Sequence, residues 1–210
     1  MWLPVLLLLA VGSTAQAALV SWKEITLPTR SVVVDARPLA DCVAGSLGGA
    51  RCLPASEFVD SKGRLAPWRE IVWLFSTAHL AGDETVLVVA ERNEDCLLVA
   101  GLLHLAGQKQ VYVAAQPART LLRHLPSAPG TPRDFARQMA YKARFREELI
   151  VFSHEFDDRR QARVTRVSGP LRRDRQAVIS APRQPDAVIL WAGWLLAGRP
   201  ALLELPGRTG

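Results

Sequence analysis

Residues 85–113, TVLVVAERNEDCLLVAGLLHLAGQKQVYV, contain the pattern that decides the fold. The runs TVLVVA (85–90) and QVYVAA (110–115) have the length and β-branched content of strands, and the apolar stretch 96–106 between them has the length of a helix. A polar turn, Glu91–Asp95, separates the first strand from this helix. Apolar strands that alternate with helices predict an α/β fold in which helices flank a parallel sheet.

Further elements of the same kind lie on both sides of this unit. Upstream we predict strands at 31–37 and 48–54 and an amphipathic helix at 66–82. The Pro- and Gly-containing stretch 125–134 is typical of a linker. Downstream we predict helices at 135–148 and 185–198, and strands at 149–154, 162–167, 177–181 and 200–207.

The chain contains a weak internal repeat. A shift of 91 residues without a gap places Ala90 over Ala181, Arg92 over Arg183 and Asp95 over Asp186. The acidic residue begins a helix in both copies, where it complements the helix dipole. The repeat favours a second, shortened module after the linker; chance similarity between two strand–helix–strand units is the alternative.

The positive charge is concentrated in the second half of the chain. Residues 118–210 contain 17 Lys and Arg against 9 Asp and Glu, within a net charge of +6. These basic residues alternate with acidic ones, and no aromatic residues interleave them as in a single-strand nucleic-acid surface. We therefore expect no nucleic-acid partner and assign the charge to a solvated face.

The first 17 residues, MWLPVLLLLAVGSTAQA, are typical of a secretory signal peptide. An apolar run too short to span a membrane comfortably ends in the small-x-small pattern Ala15-Gln16-Ala17. We expect a periplasmic or secreted protein. We expect membrane attachment only through this segment, if it is not cleaved.

No metal or cofactor is expected. The four histidines, His79, His104, His124 and His154, have no metal-ligand spacing, and no Gly-rich loop is of the phosphate-cradling kind.

Several motifs in residues 19–117 together resemble the rhodanese (sulfurtransferase) domain family. Asp35 and Arg37, in VVVDAR, match an Asp-x-Arg after the family's first core strand. Gly45, Gly49 and Ala50 match positions of the family's Gly-His-Ile-Pro-Gly-Ala signature. The resemblance implies a rhodanese-like domain at 18–124, a linker at 125–134 and a degenerate second rhodanese-like module at 135–210.

The departures from the family concern its chemistry. The resemblance implies a nucleophilic cysteine at position 90, where this chain has Ala90; Ser46 and Gly48 replace the signature His and Pro. A family cysteine carries sulfur as a persulfide, and a methyl group cannot. The turn also holds Glu91, Glu94 and Asp95, whose charges repel an anionic sulfur donor. We interpret Ala90, Glu91, Arg92, Asn93, Glu94 and Asp95 as a binding loop without a catalytic residue.

The three cysteines leave two questions open. The sequence does not choose between a disulfide of Cys52 with Cys96, which should both lie near one edge of the sheet, and the competing pairing Cys42–Cys52. The alternative function is a sulfurtransferase or thiol-redox enzyme that uses Cys96. The main prediction is an exported, catalytically inactive rhodanese-like protein that binds a protein partner in the cell envelope.

Overall fold

The computed structural model describes residues 18–23, 31–136, 139–152, 164–167 and 176–205. The predicted signal peptide, 1–17, lies outside these ranges. The described residues form two parallel sheets with helices between and around them, which confirms the α/β class. None of the helices within these ranges is long and apolar enough to cross a membrane.

The first sheet has five parallel strands in the order β1-β6-β5-β2-β4. Its strands are β1 (Ala18–Trp22), β2 (Ser31–Asp35), β4 (Arg51–Cys52), β5 (Thr85–Val89) and β6 (Gln110–Ala114). Both of its faces are covered. Val34, Val86 and Val88 belong to the main core, and the alternating residues Val33, Leu87 and Val89 belong to a smaller cluster on the opposite face.

Four helices and a two-stranded ribbon belong to the same unit. The helices are α1 (Leu39–Ala44), α2 (Trp68–Thr77), α3 (Asn93–Leu105) and α4 (Ala118–Leu121), with a 3₁₀ turn at Ala55–Phe58. The ribbon pairs β3 (Ser46–Leu47) with β7 (Ser127–Ala128) in antiparallel fashion. Residues 125–134, predicted as a linker, thus make backbone contacts with the first unit. The Cys52 N–H donates to Thr131 O (2.8 Å), and the Thr131 N–H donates to Ala50 O (2.8 Å).

The second sheet has four parallel strands in the order β8-β11-β10-β9. They are β8 (Ile150–Phe152), β9 (Val164–Val167), β10 (Gln176–Ile179) and β11 (Ala201–Leu205), and helix α5 (Gln184–Leu196) lies between the last two in the chain. These elements confirm the four strands and the apolar helix predicted from the sequence.

The 91-residue shift relates the strand–helix–strand unit of each sheet, whereas the flanking strands β8 and β9 correspond to β1 and β2 by position in the sheet and not by this shift. It carries α3 onto α5 and β6 onto β11 at both ends. In the first sheet Val20 of β1 pairs with Tyr112 of β6. In the second sheet Ile150 of β8 pairs with Leu203 of β11, the residue that corresponds to Tyr112. Strand β8 therefore lies beside β11 as β1 lies beside β6. Arg92 and Arg183, which precede the two helices, share an extended backbone, with φ −103° and ψ 136° against φ −112° and ψ 135°.

Helix α3 is buried on all sides. Every residue from Cys96 to Leu105 is buried, because the first sheet covers one side of the helix and α5 covers the other. The contact between the helices is close at Gly101. A Cβ there would lie 2.9 Å from Val188 Cγ1 and 3.2 Å from Ala192 Cβ. One hydrophobic core therefore includes residues of both sheets.

The predicted helix at 135–148 is wrong. Residues 139–149, which we call the strap, have no regular secondary structure as far as a short 3₁₀ turn at Glu147–Leu149. The last carbonyl groups of a helix lack intrahelical donors, and the strap supplies some of them. The Met139 N–H donates to Ser76 O in α2 (3.1 Å), and the Arg146 N–H donates to Leu105 O in α3 (2.9 Å).

Aromatic side chains of the strap complete its packing. Tyr141 lies against Phe75, with 5.4 Å between ring centroids, and Phe145 lies against Trp68 at 4.2 Å. A segment predicted as a helix is therefore irregular and packs through its aromatic rings on α2.

Candidate functional site

The predicted binding loop lies at the carboxyl end of the first sheet. Ala90 follows β5, and Glu91 and Arg92 form a short bend. Helix α3 begins at Asn93, so the turn is shorter than the predicted Glu91–Asp95. A small pocket of about 120 Å³ opens here. It is lined by Ala90, Glu91, Arg92, Asn93, Cys96, Ala114, Ala115, Gln116 and Pro117. We call this pocket the cradle.

The wall of the cradle contains no reactive atom at Ala90. This residue is only 4% exposed, and its carbonyl accepts a hydrogen bond from the Ala118 N–H (2.8 Å), which holds α4 against the loop. Helix α3 has no side-chain cap, so its first N–H groups end at the cradle without an intrahelical acceptor. The N-terminus of a helix stabilises a nearby negative charge, but Ala90 has no group that could become an anion there.

The charged side chains of the loop form ion pairs at its rim. Glu91 pairs with Arg119 (Nε to Oε1, 2.8 Å), and Arg92 lies 3.7 Å from Glu94. Burial raises the pKa of the Asp95 carboxyl, and the nearby Arg92 partly offsets this effect. The net acidity that the sequence predicts for the turn is therefore balanced in part by Arg119.

Arg119 is the residue that the sequence interpretation missed. It lies in α4, directly after β6, and β6 is the neighbour of β5 in the sheet. Because parallel strands end at the same edge of a sheet, the residues after β6 reach the cradle. Once β5 and β6 are known to be neighbours, that rule places Gln116, Pro117 and Arg119 at the cradle.

Cys96 faces the interior of the protein. Its side chain is buried, and its Sγ donates a hydrogen bond to Val88 O (3.1 Å). Burial raises the pKa of this thiol to about 12, with Asp95 and Asp35 acting in the same direction. The thiolate, which is the nucleophilic form, is therefore scarce at neutral pH.

Of the two pairings that the sequence left open, the structure contains Cys42–Cys52, with a Cα–Cα separation of 5.8 Å, and not Cys52–Cys96. The reason is the alternation of side chains along a strand. Cys52 is in register with Asp35, one residue from the core-facing Val34, and so lies on the face away from α3. Cys96 belongs to the core on the α3 side.

The family motif forms a buried polar network beside the cradle. Asp35 is fully buried and accepts hydrogen bonds from Arg37 Nη2 (2.6 Å) and Ser46 Oγ (2.5 Å). Arg37 Nη2 also donates to Gly45 O (2.6 Å). The pKa of Arg37 is raised chiefly by its hydrogen bond to Asp35. Ser46, at the position of the signature His, therefore ties the signature loop to β2.

The remaining motif residues set the shape of that loop. Gly49 has φ +74°, which favours glycine, and the fully buried Ala50 closes the turn through its N–H to Leu47 O (2.8 Å). Gly130 packs on the disulfide. A Cβ on it would come within 2.7 Å of Cys52 Sγ and closer still to Cys42. The disulfide thus fixes both the signature loop and the segment after β7.

The histidines form no common site. His104 is buried in α3, where burial and the neighbouring Arg146 lower its pKa to about 3. His154 lies outside the described residues. Among the residues that the structure describes, no three His, Cys, Asp or Glu side chains are grouped as metal ligands would be.

Comparison with known proteins identifies the fold. No protein-family profile and no curated protein matches the sequence. Among solved structures, the chain is similar to SseA from Escherichia coli, described as a 3-mercaptopyruvate sulfotransferase with the "Rhodanese" fold. The TM-score is 0.63 at 14% identity, over 84% of this chain and 92% of that chain.

Two longer proteins are also similar. YnjE matches with a TM-score of 0.50 at 14% identity, over 74% of this chain and 36% of that one. A variant of EanB in complex with ergothioneine matches with a TM-score of 0.50 at 12% identity, over 68% of this chain and 40% of that one. This chain thus spans well under half the length of either protein. At these identities the likeness establishes the fold alone, and the chain has the rhodanese-like α/β fold that the resemblance predicted.

Proposed function

We propose that this protein is an exported, catalytically inactive rhodanese-like protein that binds a protein partner in the cell envelope. The observation that carries the proposal is Ala90, whose methyl group occupies the position at which the resemblance implies a nucleophilic cysteine. Without a thiol at that point the cradle cannot form a persulfide.

The geometry of Cys96 argues against the alternative, in which this thiol is a relocated nucleophile. The side chain borders the cradle but is only 2% exposed, and its Sγ is committed to Val88 O. A pKa of about 12 leaves on the order of one thiol in 10⁵ ionised at pH 7.

The rim of the cradle supports binding to a polar protein surface. The side chains of Arg92 and Arg119 are 70% and 72% exposed, and that of Glu94 is 56% exposed. Exposed charges of both signs around a pocket of about 120 Å³ suit recognition of a single inserted side chain, flanked by complementary charges of the partner.

The Cys42–Cys52 disulfide supports export. Disulfides persist in oxidising compartments and are rare in the cytosol of mesophiles. This one is buried and shapes the signature loop, so its loss affects the folded state and not merely the surface.

The second sheet supports the inference that residues 135–210 contain a shortened, degenerate copy of the rhodanese-like module. Its strand order repeats that of four strands of the first sheet, and β10, α5 and β11 follow β5, α3 and β6 at a shift of 91 residues. Ala181 takes the place of Ala90, so the second copy also has no thiol at this position.

The decisive experiment is an assay of thiosulfate:cyanide sulfur transfer by residues 18–210, beside the Cys96→Ser variant. We expect no transfer by either protein above the rate of a heat-denatured sample. Activity that disappears in the variant would establish Cys96 as the nucleophile and overturn the proposal.

A second experiment tests the binding role. Chemical cross-linking in envelope extract compares the wild-type chain with a rim variant, Arg92→Glu with Glu94→Arg, and with the control Arg69→Glu on the exposed side of α2. We expect the rim variant to lose a cross-linked species that the control keeps. Equal cross-linking by all three proteins would remove the cradle from partner recognition.

A further inference from the structure

A second pocket, of about 240 Å³, lies between the first unit and the second sheet. One wall comes from the start of α2 and the end of α3, with Trp68, Ile71 and Leu102 among its residues. The other wall comes from the strap, β8, β11 and α5, and includes Phe145 and Phe152.

The chemistry of this pocket differs from that of the cradle. Its lining contains no charged residue, and Gln184 is its single amide side chain. The aromatic wall is held in place, since Trp68 and Phe145 pack against each other with 4.2 Å between ring centroids. A cavity of about 150 Å³ with similar apolar walls stays dry and binds benzene. This larger space therefore suits a larger ring system.

The pocket is accessible from solvent. Pro67 is exposed at its rim, and Phe152 is 37% exposed. The side chain of Gln184, at the first position of α5, is partly exposed and can donate or accept one hydrogen bond. An apolar space with one hydrogen-bonding group is the usual composition of a small-molecule site.

We propose that this pocket binds a small, uncharged, largely apolar molecule of about the size of two fused aromatic rings, whose one polar group pairs with Gln184. The inference does not depend on the function proposed for the cradle, because the two pockets share no residue. An anionic ligand is disfavoured, since no cationic side chain lines the pocket to offset the loss of hydration.

The test uses 1-naphthylamine, a fluorescent probe of two fused rings that is uncharged at pH 7, with residues 18–210. We expect saturable binding of one equivalent, displaced by naphthalene and by 1-naphthol. The variant Ala66→Phe, which places a ring in the pocket, should weaken binding at least tenfold, with its far-UV circular dichroism unchanged. The matched control Ala115→Phe fills the cradle and should bind the probe as the wild type does.

A second variant keeps the test decisive if Ala66→Phe fails to fold. Gln184→Leu should weaken the binding of 1-naphthol several-fold and leave that of naphthalene unchanged. The proposal is overturned if the wild-type chain shows no saturable binding, or if Ala115→Phe and not Ala66→Phe abolishes it. If Gln184→Leu weakened the binding of naphthalene as much as that of 1-naphthol, the hydrogen bond from the amide would be refuted.

Discussion

Two residues determine what the loop after β5 can do. Ala90 ends the strand with a methyl group, and Cys96, the nearest thiol in the sequence, points into the core and donates to Val88 O. The fold therefore keeps the shape of a rhodanese-like cradle while its wall contains no accessible nucleophile. A family assignment based on shape alone would miss this difference.

The thiol of Cys96 should be unreactive in the folded protein. At pH 8, iodoacetamide should modify it at least about a thousandfold more slowly than an exposed cysteine, because its pKa is raised to about 12 and the side chain is buried. Mass spectrometry of the non-reduced chain measures the rate. The control is Ala115→Cys, which adds an exposed thiol at the rim of the same pocket. Similar rates for both thiols would contradict the burial of Cys96.

At the scale of elements, the contact between α3 and α5 depends on Gly101. Gly101→Leu should lower the free energy of unfolding by about 1–3 kcal/mol, because the added side chain would lie too close to Val188 and Ala192. Gly193→Ala is the matched control on α5. Its Cβ would lie 3.8 Å from Leu97, an ordinary contact, so it should be neutral or stabilising by up to about 1 kcal/mol. Urea denaturation measures both, and a neutral Gly101→Leu would refute the close packing.

The strap and α3 are joined by a pH-sensitive contact. Arg146 Nη1 lies 2.7 Å from both His104 Nδ1 and His104 O, and Nη2 donates to Gln108 O (2.8 Å); the Trp191 ring lies on another side of the histidine. Burial and Arg146 lower the pKa of His104 to about 3. The unfolded chain therefore takes up this proton first as the pH falls.

Stability should accordingly decrease between about pH 6.5 and pH 3, by on the order of 1 kcal/mol per pH unit from this group. Urea denaturation of the wild type and of His104→Gln at pH 7, 5.5 and 4.5 isolates the effect, since the other titrating groups are common to both. The difference in unfolding free energy between the two proteins should shrink as the pH falls. A constant difference would rule out the lowered pKa.

At the scale of the whole molecule, the disulfide is a long-range support. It joins α1 to β4, and Gly130 packs against it, so that it holds the signature loop and residues 125–134 together. Removal of both cysteines by Cys42→Ala and Cys52→Ala should lower the unfolding free energy by about 3 kcal/mol, as expected for a closed loop of this length. Cys96→Ala is the single-site control. Equal midpoints of thermal unfolding for the double variant and the wild type would contradict this role.

The sequence predicted the structure well where a single apolar run forms a single strand or helix. The apolar runs at 85–90, 110–115 and 185–198 became β5, β6 and α5, and the acidic starts of α3 and α5 lie where the helix dipole favours them. The Asp-x-Arg motif also became a buried network, because an Asp in a sheet interior needs donors such as Arg37 and Ser46.

The sequence was uninformative where contacts between distant segments determine the local structure. The strap was predicted to be part of a helix, yet it is irregular, because its N–H groups donate to carbonyl groups at the ends of α2 and α3. The pairing of Cys52 depends on the face of β4 on which it lies, and a two-residue strand gives no periodicity from which to read that face. Arg119 became visible only when the order of the strands was known.

The burial of α3 on both sides also has a consequence for the order in which the chain folds. During synthesis α5 emerges about 90 residues after α3, so the apolar outer side of α3 has no partner until α5 has been made. We expect the protein to acquire its fixed packing only after α5 has left the ribosome. Limited proteolysis of ribosome-bound nascent chains tests this, and protease resistance in chains stalled before residue 184 would contradict it.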